Sequence, residues 1–196
     1  MHYHFIEIGT ADFDTEIQQH DNRIGLSIDV IQEYLDNLPN VLNVKKICCG
    51  ISNSSGEVYA FKPNFPSDFP GWLRGCVSII VPHKHVINVC NERGLNYNDY
   101  VILRKVPIIS AKELIHNENI TSVDYLKIDT EGHDCVILNA WLDCCIENPS
   151  LLPKHILYES KDLTDPTVLT LMRERLLSLN YKLTIHNYDT EAFLSI

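Results

Sequence analysis

Val123-Asp124-Tyr125-Leu126-Lys127-Ile128-Asp129-Thr130-Glu131-Gly132-His133-Asp134 is the stretch that decides how the chain is read. Its apolar first half gives way to Asp129, Glu131, His133 and Asp134. That is the pattern of a buried strand that ends and delivers polar groups at its tip. In an open α/β sheet, ligands bind beyond the carboxyl ends of the strands. An ordinary polar turn between strand and helix is the alternative, and the rest of the chain decides between the two.

Working outward, a helix is expected over residues 134–145, then a strand over 155–159 that ends in Glu159. Asp165-Pro166 caps and starts a helix running to Leu179, with proline in its first turn. Strands at 181–186 and 192–196 close the chain. On the other side, Ser110-Ala111-Lys112-Glu113 is a capping box that opens a short helix. Before it lie a strand at 100–106 and a helix over 77–92, interrupted at Pro82. Strands are expected at 3–8, 24–28, 44–51 and 57–61, with a short helix at 16–20. Residues 30–38 have amphipathic spacing that Pro39 terminates. Residues 62–76 carry Pro63, Pro66 and Pro70 with Phe65, Phe69 and Trp72, and read as an irregular aromatic loop inserted in the domain. Strand–helix alternation with two strands last predicts an α/β fold: a doubly wound, mostly parallel sheet with a C-terminal antiparallel strand pair.

A chain of 196 residues is expected to form one domain, 1–196, either a minimal enzyme or a domain of a longer protein. A net charge of −10 argues against nucleic acid or an anionic membrane as partner. Seven cysteines, an odd number without a C-x-x-C pair, are read as reduced thiols in a cytoplasmic setting, with zinc disfavoured. Residues 1–8 have no long apolar run, so no signal peptide is expected, and no window suggests a membrane span.

Three strand ends carry the candidate chemistry. Glu7-Ile8-Gly9 places an acid and a glycine where backbone can approach a ligand closely. Asp29, about 20 residues after Gly9, stands where an acid accepts ribose hydroxyls; helix capping is its plainer role. A complete G-x-G-x-x-G is missing, which points away from NAD and towards a cofactor with a ribose and no diphosphate. The third end is the opening stretch.

That stretch, with Val106-Pro107 and the Ser110 helix before it, resembles the FkbM family of S-adenosylmethionine-dependent methyltransferases, whose corresponding segment reads D-x-L-K-I-D-x-E-G. The likeness extends to Glu7, Gly9 and Thr15, to residues 24–29, and to 46–61 with Ile51-Ser52 and Gly56. The chain departs from the family's D-x-G-x-N-x-G at Glu7, Ala11 and the lost second glycine, and from its Glu-Pro at Asp29-Val30. The resemblance implies a Rossmann-like class I methyltransferase domain that uses S-adenosyl-L-methionine and methylates a hydroxyl, commonly on sugars or polyketides. It further implies that Glu7 and Gly9 face the cofactor's methionine end, that Thr10 and Asp14 also bind the cofactor, and that Asp29 takes the ribose. Gly50, Ile51 and Ser52 then lie by the adenine, and Asp129 near the methyl group.

The base that takes the hydroxyl proton is sought among His133, Asp129, Glu131 and Glu159, with His133 first because imidazole titrates near neutrality. Lys127 is either a site residue or the partner of a neighbouring acid. Trp72, Arg74, His133 and Glu159 are assigned to a sugar or glycan acceptor, by stacking and hydrogen bonding. His83 and His85 are read as a solvated helix start rather than metal ligands. No metal is assigned, though converging carboxylates keep a divalent ion open. The expected activity is an O-methyltransferase of glycan biosynthesis. The alternative is a degenerate methyltransferase fold serving as a binding module in a larger glycan-assembly protein.

Overall fold

A computed structural model describes residues 1–19 and 22–195. The described elements are β1 (His2–Ile8), β2 (Gly25–Asp29), α1 (Gln32–Asn37), β3 (Val44–Cys48), β4 (Gly50–Ser52), β5 (Gly56–Pro63), α2 (Lys84–Glu92), β6 (Val101–Ser110), α3 (Ala111–Asn117), β7 (Ser122–Ile128), α4 (Asp134–Glu147), β8 (His155–Glu159), α5 (Pro166–Ser178), β9 (Tyr181–Ile185) and β10 (Asp189–Leu194). Seven strands form one sheet in the order β3-β2-β1-β7-β8-β10-β9. All are parallel except β10, which runs antiparallel to both β8 and β9. This is the mostly parallel sheet with a closing antiparallel pair that the sequence predicts.

The chain winds outward from β1 to β3, then returns to the other side of β1 and winds outward again from β7. The order therefore reverses between β1 and β7. Ile8 sits level with both Ile28 and Ile128, so the three central strand tips end side by side. One face packs against α3, α4 and α5 through Leu126, Ile128, Leu138, Trp141 and Leu176, all fully or almost fully buried. The Trp141 indole donates to the Leu151 carbonyl at 3.1 Å, which satisfies its one polar group inside the core.

Five expectations need correction. The strand expected at 44–51 is two strands that part at Cys49: β3 edges the main sheet, while β4 pairs with β6 in a separate three-stranded sheet ordered β4-β6-β5. Gly50 allows that pairing, because a Cβ there would lie 2.8 Å from the Ile108 side chain. The helix expected over 77–92 exists only from Lys84, since His83 after Pro82 is extended (ψ 124°) and caps it. The strand expected at 100–106 runs on to Ser110, where the capping box takes over. The loop at 62–76 is less irregular than expected, with β5 reaching Pro63 and a 3-10 turn at Gly71–Gly75. The last strand starts at Asp189, three residues earlier than expected. Residues 20 and 196, the ends of an expected helix and strand, lie outside the described residues.

Candidate functional site

The site begins where β1 stops. The Gly9 amide donates to the Ile28 carbonyl and the Asp129 amide to the Ile8 carbonyl, each at 2.9 Å, which fastens the three strand tips together. Gly9 has φ +82°, and a Cβ there would fall 1.9 Å from the Asp129 carbonyl oxygen. Only glycine fits this corner.

The chain then turns through Ala11 and Asp14, both in the left-handed region with φ of 47° and 55°. Asp29 holds this turn. Its carboxylate accepts from the Ala11 amide at 2.9 Å and from the Ile31 amide at 2.7 Å. A carboxylate has about four acceptor positions, so acceptor capacity remains for a ligand. Burial pushes the Asp29 carboxyl up to about 6, against the pull of the Ile31, Ala11 and Val30 amides.

Beyond the tips lies a cavity of about 290 Å³. Val30, Gly50 and Ile51 form an apolar wall next to Asp29, while Lys127, Asp129, Glu131 and Lys161 form a charged wall opposite. Trp72, half exposed, and His85 stand at its rim with their rings edge to face at 6.5 Å. Of the residues expected from sequence, Gly9, Thr10, Asp14, Asp29, Gly50, Ile51, Trp72, Lys127, Asp129 and Glu131 line this one cavity.

The others have different surroundings. Glu7 is completely buried, receiving the Lys127 ammonium at 2.8 Å and the Glu16 amide at 3.1 Å. Lys127 is thus both a lining residue and the partner of an acid. Burial pulls its ammonium down, Glu7 more than compensates, and the lysine stays charged. His133 turns away from the cavity to meet Ser52 (Nε2 to Oγ, 2.9 Å), and its Nδ1 is buried without a partner. Burial lowers the His133 pKa. Arg74 pairs with Asp12 at 2.9 Å and lies over the Phe13 ring. Glu159 sits behind the charged wall, 4% exposed, bonded to Lys161.

Sequence reading missed three participants. Lys161, two residues past the end of β8, bridges Glu159 and Glu131, the latter at 3.2 Å. His83, read from sequence as part of a solvated helix start, is instead buried, and its Nε2 lies 2.7 Å from Glu131. Asp134 is fully buried and accepts from the Thr130 hydroxyl at 3.0 Å, the Gly132 amide at 3.3 Å and the Glu159 amide at 3.2 Å. It ties the loop after β7 to the tip of β8 and holds Glu131 in an unusual left-handed conformation, φ 56°. The available signals were an acid at the first helical position of α4 and a lysine just past a strand end.

Electrostatics divide the charged wall. Asp129 is open to the cavity, and its side chain has no hydrogen bond among the described residues. Its side chain stays open to solvent, yet partial desolvation by the surrounding cavity walls and then the Glu131 charge raise its carboxyl to about 6. For Glu131 burial opposes ionisation, but His83 and Lys161 outweigh it and hold the group low. Burial, reinforced by Asp134 and Glu131, drives Glu159 to about 9.

Cys76, His83 and Glu131 also bring potential metal-ligand atoms within 4.8 Å of one another. Hydrogen bonding gives His83 another task. Its Nδ1 accepts the His85 amide at 3.2 Å, so a neutral ring carries its proton on Nε2 and donates it to Glu131. Metal at Nε2 would demand an imidazolate or the loss of the helix cap.

Comparisons with models of protein families, with curated proteins and with solved structures find no match.

Proposed function

We propose that this chain is an S-adenosylmethionine-dependent O-methyltransferase acting on a hydroxyl of a sugar or glycan. The observation that carries the reading is that Asp29, anchored by two amides, and Asp129, free of partners, face one cavity at the point where strand order reverses. Ligands in open α/β sheets bind at such points. The reversed β10 between β8 and β9 is also in keeping with the class I methyltransferase fold that the sequence resemblance implies.

The residues fit such a cofactor. Asp29 has acceptor positions left for ribose hydroxyls, and the Val30, Gly50 and Ile51 wall suits a flat apolar base. Gly9 brings bare backbone against the ligand. Thr10 and Asp14, on the loop after it, reach the amino-acid end. A volume of about 290 Å³ is at the small end of ligand pockets. The cofactor would fill it, leaving the acceptor at the rim, where the Trp72 face offers a stacking platform for a sugar ring.

When bound, the cofactor supplies a methyl group already activated by its sulfonium. The chain's own task is to align the acceptor oxygen and remove its proton. Asp129 is the residue placed to take that proton, because it faces the cavity and has unoccupied acceptor positions. His133 is directed at Ser52 instead. Glu131, fixed by His83 and Lys161, and Lys127, fixed by Glu7, frame Asp129 and set its charge.

Calorimetric titration with S-adenosylhomocysteine tests the reading. Saturable binding is expected, weakened at least tenfold in Asp29→Ala, in line with the roughly 1.5–3 kcal/mol of hydrogen bonds to a charged group. Absence of heat and of any thermal shift at millimolar ligand would overturn it. On a panel of sugar acceptors, turnover should rise as pH passes about 6, where Asp129 ionises, and Asp129→Asn should remove it while sparing cofactor binding.

A further inference from the structure

We propose that Asp129, Glu131 and Glu159 together bind a divalent, oxygen-preferring cation of the Mg²⁺ or Mn²⁺ type on the charged wall of the cavity. One carboxylate oxygen from each lies within 4.8 Å of the other two. Oxygens that share such a cation at about 2.0–2.6 Å stand at most about 5 Å apart, so the three are already gathered to the right scale. They come from different places in the chain, two from the loop after β7 and one from the tip of β8. Their convergence is a product of the fold and not of local sequence.

A second observation points to a missing ligand. Glu159 is 4% exposed, and while its Oε1 meets Lys161, its Oε2 is buried with no hydrogen-bond partner. Native proteins rarely leave such an atom unpaired. Asp129 likewise offers both oxygens, and Glu131 keeps Oε1 free because His83 and Lys161 both engage Oε2. Every member of the cluster therefore retains an unused acceptor. The carboxyl groups of Asp129, Glu131 and Glu159, with Asp134 behind them, outnumber the nearby ammoniums of Lys161 and Lys127, the latter already paired with Glu7. A ligand set of oxygens alone selects a hard cation. The ordinary zinc ligands nearby are engaged elsewhere, His83 by its tautomer and Cys76 by burial that drives its thiol up to about 12. Asp129 and Glu131 line the cavity, so remaining positions on the ion would open towards bound water or an acceptor oxygen.

The test is a Mn²⁺ titration of chelator-stripped protein, followed by the electron paramagnetic resonance of free Mn²⁺ and by Mg²⁺ competition. One saturable equivalent is expected, with Kd below about 1 mM. Glu159→Gln and Asp129→Asn preserve shape and should each weaken it about tenfold or more, and Lys161→Met, which removes the competing ammonium, should tighten it. No saturable binding to the wild-type protein would overturn the proposal, as would binding indifferent to both carboxamide variants. Binding seen only in Lys161→Met would also overturn it, by showing that the lysine is the permanent cation. The titration needs no S-adenosyl compound, so its failure leaves the methyltransferase reading untouched, and the reverse holds too.

Discussion

At the scale of single residues, the corner at Gly9 and the free carboxylate of Asp129 make opposite demands on stability. In Gly9→Ala a methyl group would be driven to 1.9 Å from the Asp129 carbonyl at φ +82°. Strained φ alone costs about 1–3 kcal/mol, and the collision adds to it. We expect a loss of more than about 3 kcal/mol in chemical denaturation; a near-neutral variant would show that the tips can part. Asp129 works the other way. Its pKa is raised to about 6 in the folded protein, so the folded state favours the protonated form. That contribution is complete below the unfolded value near pH 4 and is lost as pH rises through about 6. Asp129→Asn never pays it. The variant should melt above the wild-type protein near pH 8, and the gap should close as pH falls towards about 4; a constant gap across that range would contradict the shift. These two residues were legible because a glycine and an acid at strand ends are the visible marks of such a site. Lys161 and His83 were not, since their partners come from distant segments and nothing local announces them.

At the scale of elements, strands and helices with strong periodicity were readable and the paths between them were less so. The Ser110 capping box and the Asp165-Pro166 start are local chemistry, and both form as read, with Ser110 accepting the Glu113 amide at 3.1 Å and Asp165 the Thr167 amide at 2.7 Å. The division of 44–51 into β3 and β4 depends on β6, more than fifty residues away, so no local pattern reveals it. The same holds for the segment from Pro63 to His83, in which Ser78 bridges back to Phe61 of β5 while Trp72 reaches the rim of the cavity. On the methyltransferase reading this segment serves the acceptor and not the cofactor. Trp72→Ala should therefore raise KM for a sugar acceptor several-fold, because stacking on an aromatic face is worth about 0.5–1.5 kcal/mol, and leave S-adenosylhomocysteine affinity unchanged. Equal weakening of both ligands would show that Trp72 lies over the cofactor instead.

For the molecule as a whole, the thiols report how tightly the two sheets and their helices close. All seven cysteines are free, five of them buried and only Cys48 and Cys144 half-buried. An odd number of cysteines without a C-x-x-C pair pointed to reduced thiols, and packing explains their burial, since a small apolar side chain suits the seams between helix and sheet. Burial also removes reactivity. It raises Cys49 to about 11 and Cys135 and Cys145 to about 12, so almost none of these groups is thiolate at neutral pH. Two expectations result. The melting temperature should not change when reductant is added, because no disulfide constrains the unfolded chain. An aromatic disulfide reagent should modify no more than two thiols quickly in the native protein, and all seven in denaturant. The slow remainder should react at the rate at which the fold opens, so each of those thiols measures the stability of the layer that covers it. Rapid reaction at a third site would locate a part of the core that opens far more readily than its packing implies.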